Sequence, residues 1–154
     1  MAFKFSKGEF HPKHPEKYVG SYPIIYRSGW EFKCMERFDA HPNVVSWQSE
    51  SIAIPYHNPL KNKQTVYIPD FLVKYSVDGV ETVMMIEVKP WKEIPGNQRI
   101  SEKTGKPLKV SAKDRASQIV NAAKWVAAQA FCAKRGWKFN VMSEDIIFKY
   151  ERKK

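Results

Sequence analysis

Residues 67–90, YIPDFLVKYSVDGVETVMMIEVKP, have a sequence typical of β-strands. Two carboxylates and a lysine, Asp70, Glu87 and Lys89, interrupt it. Asp78 and Gly79 separate two apolar, β-branched runs, which predicts a hairpin with a two-residue turn. Counting outward from that turn along both strands pairs Asp70 with Glu87, with their Cβ atoms ~5 Å apart on one face of the sheet. Like charges at this separation repel unless a cation lies between them or one carboxylate takes up a proton.

Lys89 shares the strand face of Glu87, because side chains alternate along a strand. Val88 turns its side chain to the other face and offers its backbone carbonyl as a further hard ligand. Two carboxylates and a carbonyl suit Mg²⁺, with Mn²⁺ as a substitute, so Asp70, Glu87 and Val88 are the predicted metal ligands. Lys89 would orient or deprotonate an attacking water, or neutralise charge that develops on phosphorus.

A structural alternative remains open for these residues. Glu87 and Lys89 could form a surface ion pair, with Asp70 simply close to a turn. A one-residue bulge in either strand would also break the pairing of the two carboxylates.

The elements that must position this group follow from periodicity. Ser28 is a plausible N-cap of a helix over residues 29–40, whose apolar face carries Trp30, Cys34 and Phe38. Two short β segments, VVSW and SIAIPY, precede the predicted hairpin, in which QTVYIPDFLVKYSV is the first strand-like run.

The second half of the chain predicts a long loop, a long helix, a strand and a final short helix. The loop covers residues 90–111, and the helix covers residues 111–135 with Trp125 in the core. A strand around residues 137–141 follows, and Ser143 caps the last helix. The predicted apolar stripe of the long helix consists of Ile119, Ala123, Val126, Ala127, Ala130 and Phe131.

This order of elements is α, three β, α, β, α, which predicts an α/β or α+β fold with a mixed central sheet flanked by helices. A length of 154 residues fits one domain. Residues 1–23 are rich in Pro, Lys and His and are predicted to form a basic arm, and residues 24–154 a single domain. His11 and His14 in the arm lack the neighbours that a zinc site requires.

Net charge indicates the class of binding partner, and cysteine usage indicates the cellular compartment. The net charge of +10 suits a polyanion such as double-stranded DNA, although a surface charged for solubility would look the same. Two isolated cysteines, no apolar run of membrane length and no signal peptide predict a cytoplasmic protein without a membrane partner. We expect no small-molecule cofactor.

Basic residues dominate the segment directly after the predicted site. A basic loop beside the reacting phosphate would give sequence-independent, salt-sensitive affinity for DNA, whereas a solvated loop is the alternative for each residue. The predicted DNA-binding residues are Lys92, Arg99, Lys103, Lys106, Lys109, Lys113 and Arg115.

The PD at residues 69–70 and the EVK at residues 87–89 resemble the motif of the PD-(D/E)XK nuclease superfamily. RSGWE, VVSWQSESIAIPYHNP, YIPDF, IEVKP, NAAKWVAAQAFCAKRGWKF and SED, in that order, resemble the head-completion nucleases of T4-like tailed phages over about residues 20–148. The TnsA transposon-end endonucleases share a comparable plan.

This resemblance implies a restriction-endonuclease-like αβββαβ core and a metal-dependent deoxyribonuclease. It also implies that Glu31, on the first helix, completes the catalytic group of Asp70, Glu87 and Lys89, although Ser28 and Glu31 equally fit a capping box. Some relatives carry a glutamine on the helix after the motif, a contact that Gln118 could supply.

The function implied is a Mg²⁺-dependent endonuclease that finishes DNA-filled phage heads before tail joining. Portal or neck proteins would then be partners, and the site of action would be the host cytoplasm or the virion. Two alternatives stay open: a transposon-end or junction-resolving nuclease of the same fold, and a DNA-binding head-neck structural protein without activity.

Overall fold

The computed structural model describes residues 7–147. Residues 144–147 begin a helix after Ser143, and the remainder of that predicted helix lies outside the described residues. Single 3₁₀ turns occur at Pro15–Lys17 and Trp91–Glu93. The other elements, in chain order, are β1 (Gly8–Glu9), β2 (Ile25–Tyr26), α1 (Gly29–Ala40), β3 (Val44–Ser49), β4 (Ile54–Asn58), β5 (Lys63–Tyr67), β6 (Phe71–Val77), β7 (Val80–Val88), α2 (Ala112–Ala133) and β8 (Lys138–Met142).

Helix α1 has the predicted bounds and the predicted cap. The Ser28 hydroxyl accepts a hydrogen bond from the Glu31 backbone N–H at 3.1 Å, which satisfies one of the unpaired donors of the first turn. Trp30, Cys34 and Phe38 are buried, so the predicted apolar face is confirmed.

The central sheet has the strand order β3-β6-β7-β8. Strands β3, β6 and β7 are antiparallel neighbours, and β8 is parallel to β7 because α2 provides the crossover between them. Helix α1 packs with residues such as Val73 and Ile86 on one face, and α2 packs with Met85 and Phe139 on the other. The predicted mixed sheet with flanking helices is therefore confirmed.

The predicted hairpin is present with the predicted pairing. Asp78 and Gly79 have φ angles of 52° and 80°, as a tight turn that matches the strand twist requires. Val77 pairs with Val80, and the pairing continues without a bulge to Phe71 and Ile86.

The predicted single run QTVYIPDFLVKYSV is wrong, because the structure divides it into β5 and β6 at residues 68–70. Pro69 has no N–H to donate to a strand ladder and disfavours continuation of a central strand. As a result β5 pairs with β4 alone among the strands of residues 7–147, in a separate two-stranded hairpin that packs on α2.

The predicted apolar stripe of α2 is only partly right: Ala123, Ala127 and Phe131 pack partly buried against the core. Ile119 and Val126 are exposed, at 42% and 67%, and Ala130 is exposed as well. An alanine-rich helix shows little difference in hydrophobicity between its faces, and polar side chains occupy part of the buried face of α2. The buried residues of α2 are Gln118, Asn121, Trp125, Ala128 and Cys132, which confirms the prediction for Trp125.

The described part of the predicted arm, residues 7–23, packs on α1 and β3. Phe10 and Tyr18 are buried in the α1 core. Both carboxylate oxygens of buried Asp39 accept backbone hydrogen bonds of 2.9 Å, from Lys13 and His14. The division between an arm and a domain at residue 23 stays a prediction. No helix within residues 7–147 has the length and apolarity to cross a membrane.

Candidate active site

Asp70 and Glu87 lie at the open end of the β6–β7 hairpin. Asp70 directly precedes β6, and Glu87 is the penultimate residue of β7, so the register places the two opposite each other. The Val88 backbone N–H donates to Asp70 Oδ2 at 2.7 Å. This bond fixes the Asp70 carboxylate against β7 beside Glu87.

Three carboxylates share the electrostatic environment of this end of the sheet. Burial raises the pKa of Asp70 well above its usual range, and the neighbouring carboxylates of Glu87 and Glu31 raise it further. Burial also raises the pKa of Glu87, although Lys89 opposes this shift. Two carboxylates with raised pKa values repel each other when both are ionised, and a cation between them would relieve that repulsion.

Both oxygens of the buried Glu87 carboxylate have partners. The Tyr67 hydroxyl donates a hydrogen bond to Oε2, and Lys89 Nζ lies 3.6 Å from Oε1. Tyr67 is itself buried, at the end of β5. The ammonium of Lys89 is therefore held next to the paired carboxylates.

Glu31 takes part in the helix cap and lies within electrostatic range of Asp70 and Glu87. Its carboxylate Oε2 accepts from the Ser28 hydroxyl at 3.2 Å, so the side chain folds back on its own cap. Burial is the main cause that raises the pKa of Glu31, and the charge of Glu87 adds to it. The cap at Ser28 is therefore one part of the environment of Glu31, and the charge of Glu87 is another. The catalytic role of Glu31 stays a prediction.

The donors present fit Mg²⁺. Within residues 7–147 no three His, Cys, Asp or Glu side chains form a group that could hold a metal ion alone. Mg²⁺ needs only one or two carboxylates, because water and substrate phosphate complete its shell. Asp70 and Glu87, with their mutual repulsion, supply that number, and the Val88 carbonyl stays a predicted third ligand.

All seven predicted DNA-binding residues are exposed. Lys92 Nζ lies 3.8 Å from an Asp114 carboxylate oxygen, and the Arg99 guanidinium lies over the Trp91 ring, 5.6 Å from its centroid. The loop that carries most of these residues begins directly after Lys89, at the end of the strand that carries Glu87.

Side chains of α2 anchor the start of this loop. Gln118 Nε2 donates to the carbonyls of Lys92 and Asn97 at 2.8 and 3.0 Å, and Asn121 Nδ2 donates to that of Glu93 at 2.9 Å. The amide nitrogen of Gln118 is thus occupied by the loop, and its role as a contact of the reaction stays a prediction.

Replacement of Gln118 by leucine is expected to lower the free energy of unfolding by about 1–3 kcal/mol, because the loop carbonyls would lose a buried donor. Gln129 is an exposed glutamine on the same helix, and Gln129→Leu should change stability by less than about 0.5 kcal/mol. Urea denaturation of both variants measures the difference. Equal effects would contradict the anchoring role.

Two residues near the carboxylates are not found by sequence reasoning. Tyr67 reaches Glu87 from β5, and Lys124 reaches the same region from α2. Tyr67 stands two residues before Pro69, which gives it only a weak positional signal. Lys124 is one lysine on a long helix, and the sequence gives no signal for its place at the site.

Sequence comparisons relate the chain to known nucleases. Residues 41–144 match the family model of the TnsA-like endonuclease N-terminal domain, a segment that contains Asp70, Glu87 and Lys89. The chain is also 36% identical over 139 residues to the head completion nuclease of Enterobacteria phage T4. That similarity covers 90% of this chain and 91% of the phage T4 protein.

Proposed function

The chain belongs to the TnsA-like endonuclease family and is a nuclease, and we propose that it hydrolyses DNA phosphodiester bonds with Mg²⁺ during phage head completion. Double-stranded DNA would be the substrate, and portal or neck proteins would bring the enzyme to the head. The similarity to the phage T4 head completion nuclease along nearly the whole chain supports this biological role.

The observation that carries the catalytic part is the group of Asp70, Glu87 and Lys89 at one end of the hairpin. The two carboxylates have raised pKa values and stand next to an ammonium 3.6 Å from Glu87. Two buried carboxylates that repel each other are costly for a folded protein, and a divalent cation bound between them would lower that cost.

The chain's own residues divide the work of hydrolysis. Asp70, Glu87 and the Val88 carbonyl would hold Mg²⁺, which when bound makes water more acidic and polarises a phosphoryl oxygen. Lys89 would orient the attacking water, accept its proton or neutralise the charge that develops on phosphorus. Glu31 would support Asp70 and Glu87 from α1.

The exposed basic loop would hold the DNA strand beside this group. The loop and the first turn of α2 together offer seven exposed basic residues as phosphate contacts, which position a duplex without reading its bases. We therefore expect selectivity to come from the structure of the DNA end or from a tethering partner.

Incubation of supercoiled plasmid with the full chain tests this function. We expect nicking with Mg²⁺ or Mn²⁺ and none with EDTA. Lys89→Ala should slow nicking by about 10²-fold or more, because a positioned proton-transfer group typically contributes 10²–10⁴-fold. Gel separation of supercoiled, nicked and linear forms measures the rate.

The exposed Lys138, at the start of β8, provides the matched control, and Lys138→Ala should nick at the wild-type rate. Absence of metal-dependent nicking by the wild-type chain would favour the non-enzymatic head-neck protein. Preference for branched or transposon-end DNA over linear duplex would favour the junction-resolving or transposon-end nuclease.

A further inference from the structure

Lys124 is a partly buried cation near the carboxylates that the proposed mechanism does not use. Its Nζ lies over two aromatic rings, 5.5 Å from the ring centroid of Tyr67 and 6.0 Å from that of Tyr56. Both tyrosines are buried in the β4–β5 hairpin that packs on α2. The ammonium is therefore held between the helix and the hairpin.

Lys124 forms no salt bridge with any carboxylate in the part of the chain that the structure describes. Its surroundings nevertheless contain the charges of Glu87, Asp70 and Glu93 as well as that of Lys89. Burial lowers the pKa of Lys124, and the ammonium of Lys89 lowers it further. Aromatic faces replace only part of the hydration that a buried ammonium loses.

Two ammonium groups thus stand near the same pair of carboxylates from different directions. Lys89 approaches Glu87 Oε1 along β7, whereas Lys124 comes from α2 and lies over Tyr67, whose hydroxyl holds Glu87 Oε2. A cation held in this way near another cation favours an anion between or beside them. A phosphate group supplies charge-assisted hydrogen-bond acceptors for such an ammonium.

We propose that Lys124 is a substrate-binding residue whose ammonium contacts a phosphate of the DNA strand lying across Asp70 and Glu87. This inference rests on the proposed nuclease function, since it names a contact of that same site. Tyr56 and Tyr67 act as positioning residues that keep the ammonium on the α2 side of the carboxylates.

Duplex binding by full-length Lys124→Gln in EDTA, over a range of salt concentrations, tests the contact without cleavage. Loss of one phosphate contact should lower the magnitude of the slope of log K against log salt by about 0.9 and weaken binding at low salt. Lys124→Arg should keep the wild-type slope. Thermal melting establishes that each variant is folded.

Lys134 is an exposed lysine at the C-terminal end of the same helix, and Lys134→Gln provides the matched control with an unchanged slope. A wild-type slope and affinity in folded Lys124→Gln would overturn the inference, as would absence of DNA binding by the wild-type chain. Plasmid nicking separates the two proposals. If Lys124→Gln lowers the slope as predicted but the wild-type chain never nicks plasmid, the phosphate contact is supported and the nuclease mechanism is contradicted.

Discussion

Asp70→Asn is expected to reduce Mg²⁺-dependent nicking to below about 1% of the wild-type rate, because loss of a group that stabilises transition-state charge typically costs 10²–10³-fold. Asparagine has the same shape and can still accept the 2.7 Å hydrogen bond from the Val88 N–H, so the fold should persist. A plasmid nicking assay with Mg²⁺ measures the loss.

The same substitution should raise thermal stability in EDTA at pH 7. The folded-state pKa of Asp70 is raised by burial and by the carboxylates of Glu87 and Glu31, whereas the unfolded value is about 3.9. Below about pH 3.9 the carboxyl is protonated in both states and carries no penalty. Above that pH the unfolded chain releases this proton while the folded chain still holds it, so stability falls as the pH rises up to and through the folded-state pKa.

Thermal melting in EDTA between pH 4 and 8 measures this dependence. The difference in melting temperature between wild type and Asp70→Asn at each pH reports the titration of Asp70 separately from that of the other carboxylates. Mg²⁺ should raise the melting temperature of the wild type but not that of the variant. Asp78→Asn, in the exposed turn at the other end of the hairpin, is the control and should match the wild type in both assays.

Full activity of Asp70→Asn, or a lower melting temperature in EDTA across the whole pH range, would contradict this account. The first result would show that Asp70 does not hold the metal. The second would show that the ionised carboxylate stabilises the fold, as a surface ion pair or hydrogen-bonded acid would.

The hairpin could be predicted in detail because its information is local. Asp78 and Gly79 accept the positive φ angles of a tight turn, and once the turn is fixed the alternation of a strand fixes every opposed pair. The pairing of Asp70 with Glu87 follows directly. Helix α1 was equally accessible, because Ser28 provides a local cap and Trp30 begins a clear apolar face.

The sequence-based predictions are wrong where contacts between distant parts of the chain determine the structure. Gln118 is buried on α2 because it binds loop carbonyls, which turns Val126 toward solvent, and no local pattern encodes a partner 21 or 26 residues away. Lys124 likewise lies near the site because α2 packs on both the central sheet and the β4–β5 hairpin, which are long-range contacts. That hairpin separates from the central sheet at Pro69, because proline has no backbone N–H to donate to a strand ladder.

Trp47→Ala is expected to lower the free energy of unfolding by about 3–5 kcal/mol, the usual cost of removing a large aromatic side chain from a core. Trp47 is fully buried in β3 and contacts four aromatic rings. Their centroids lie 4.7–6.3 Å from that of Trp47, and the rings belong to Phe10, Tyr18, Phe38 and Phe71.

These four rings come from the segment that precedes β2, from α1 and from β6, so a cavity at this position affects three parts of the core at once. Trp47→Phe should cost less, since it leaves a smaller cavity and also removes a buried indole N–H that has no hydrogen-bond partner in the described structure. Val126→Ala, at the exposed face of α2, should change stability by less than about 0.5 kcal/mol and serves as the control. Urea denaturation measures all three variants.

Trp47→Ala should also slow nicking under conditions where the variant is still folded. Phe71, which contacts Trp47, directly follows Asp70 in the chain, so the Trp47 side chain supports the strand start that places this carboxylate opposite Glu87. A stability loss below about 1 kcal/mol would mean that the arm, α1 and the sheet do not share one core. A large stability loss with wild-type nicking by the folded fraction would instead mean that Asp70 is positioned by its bond to Val88 alone.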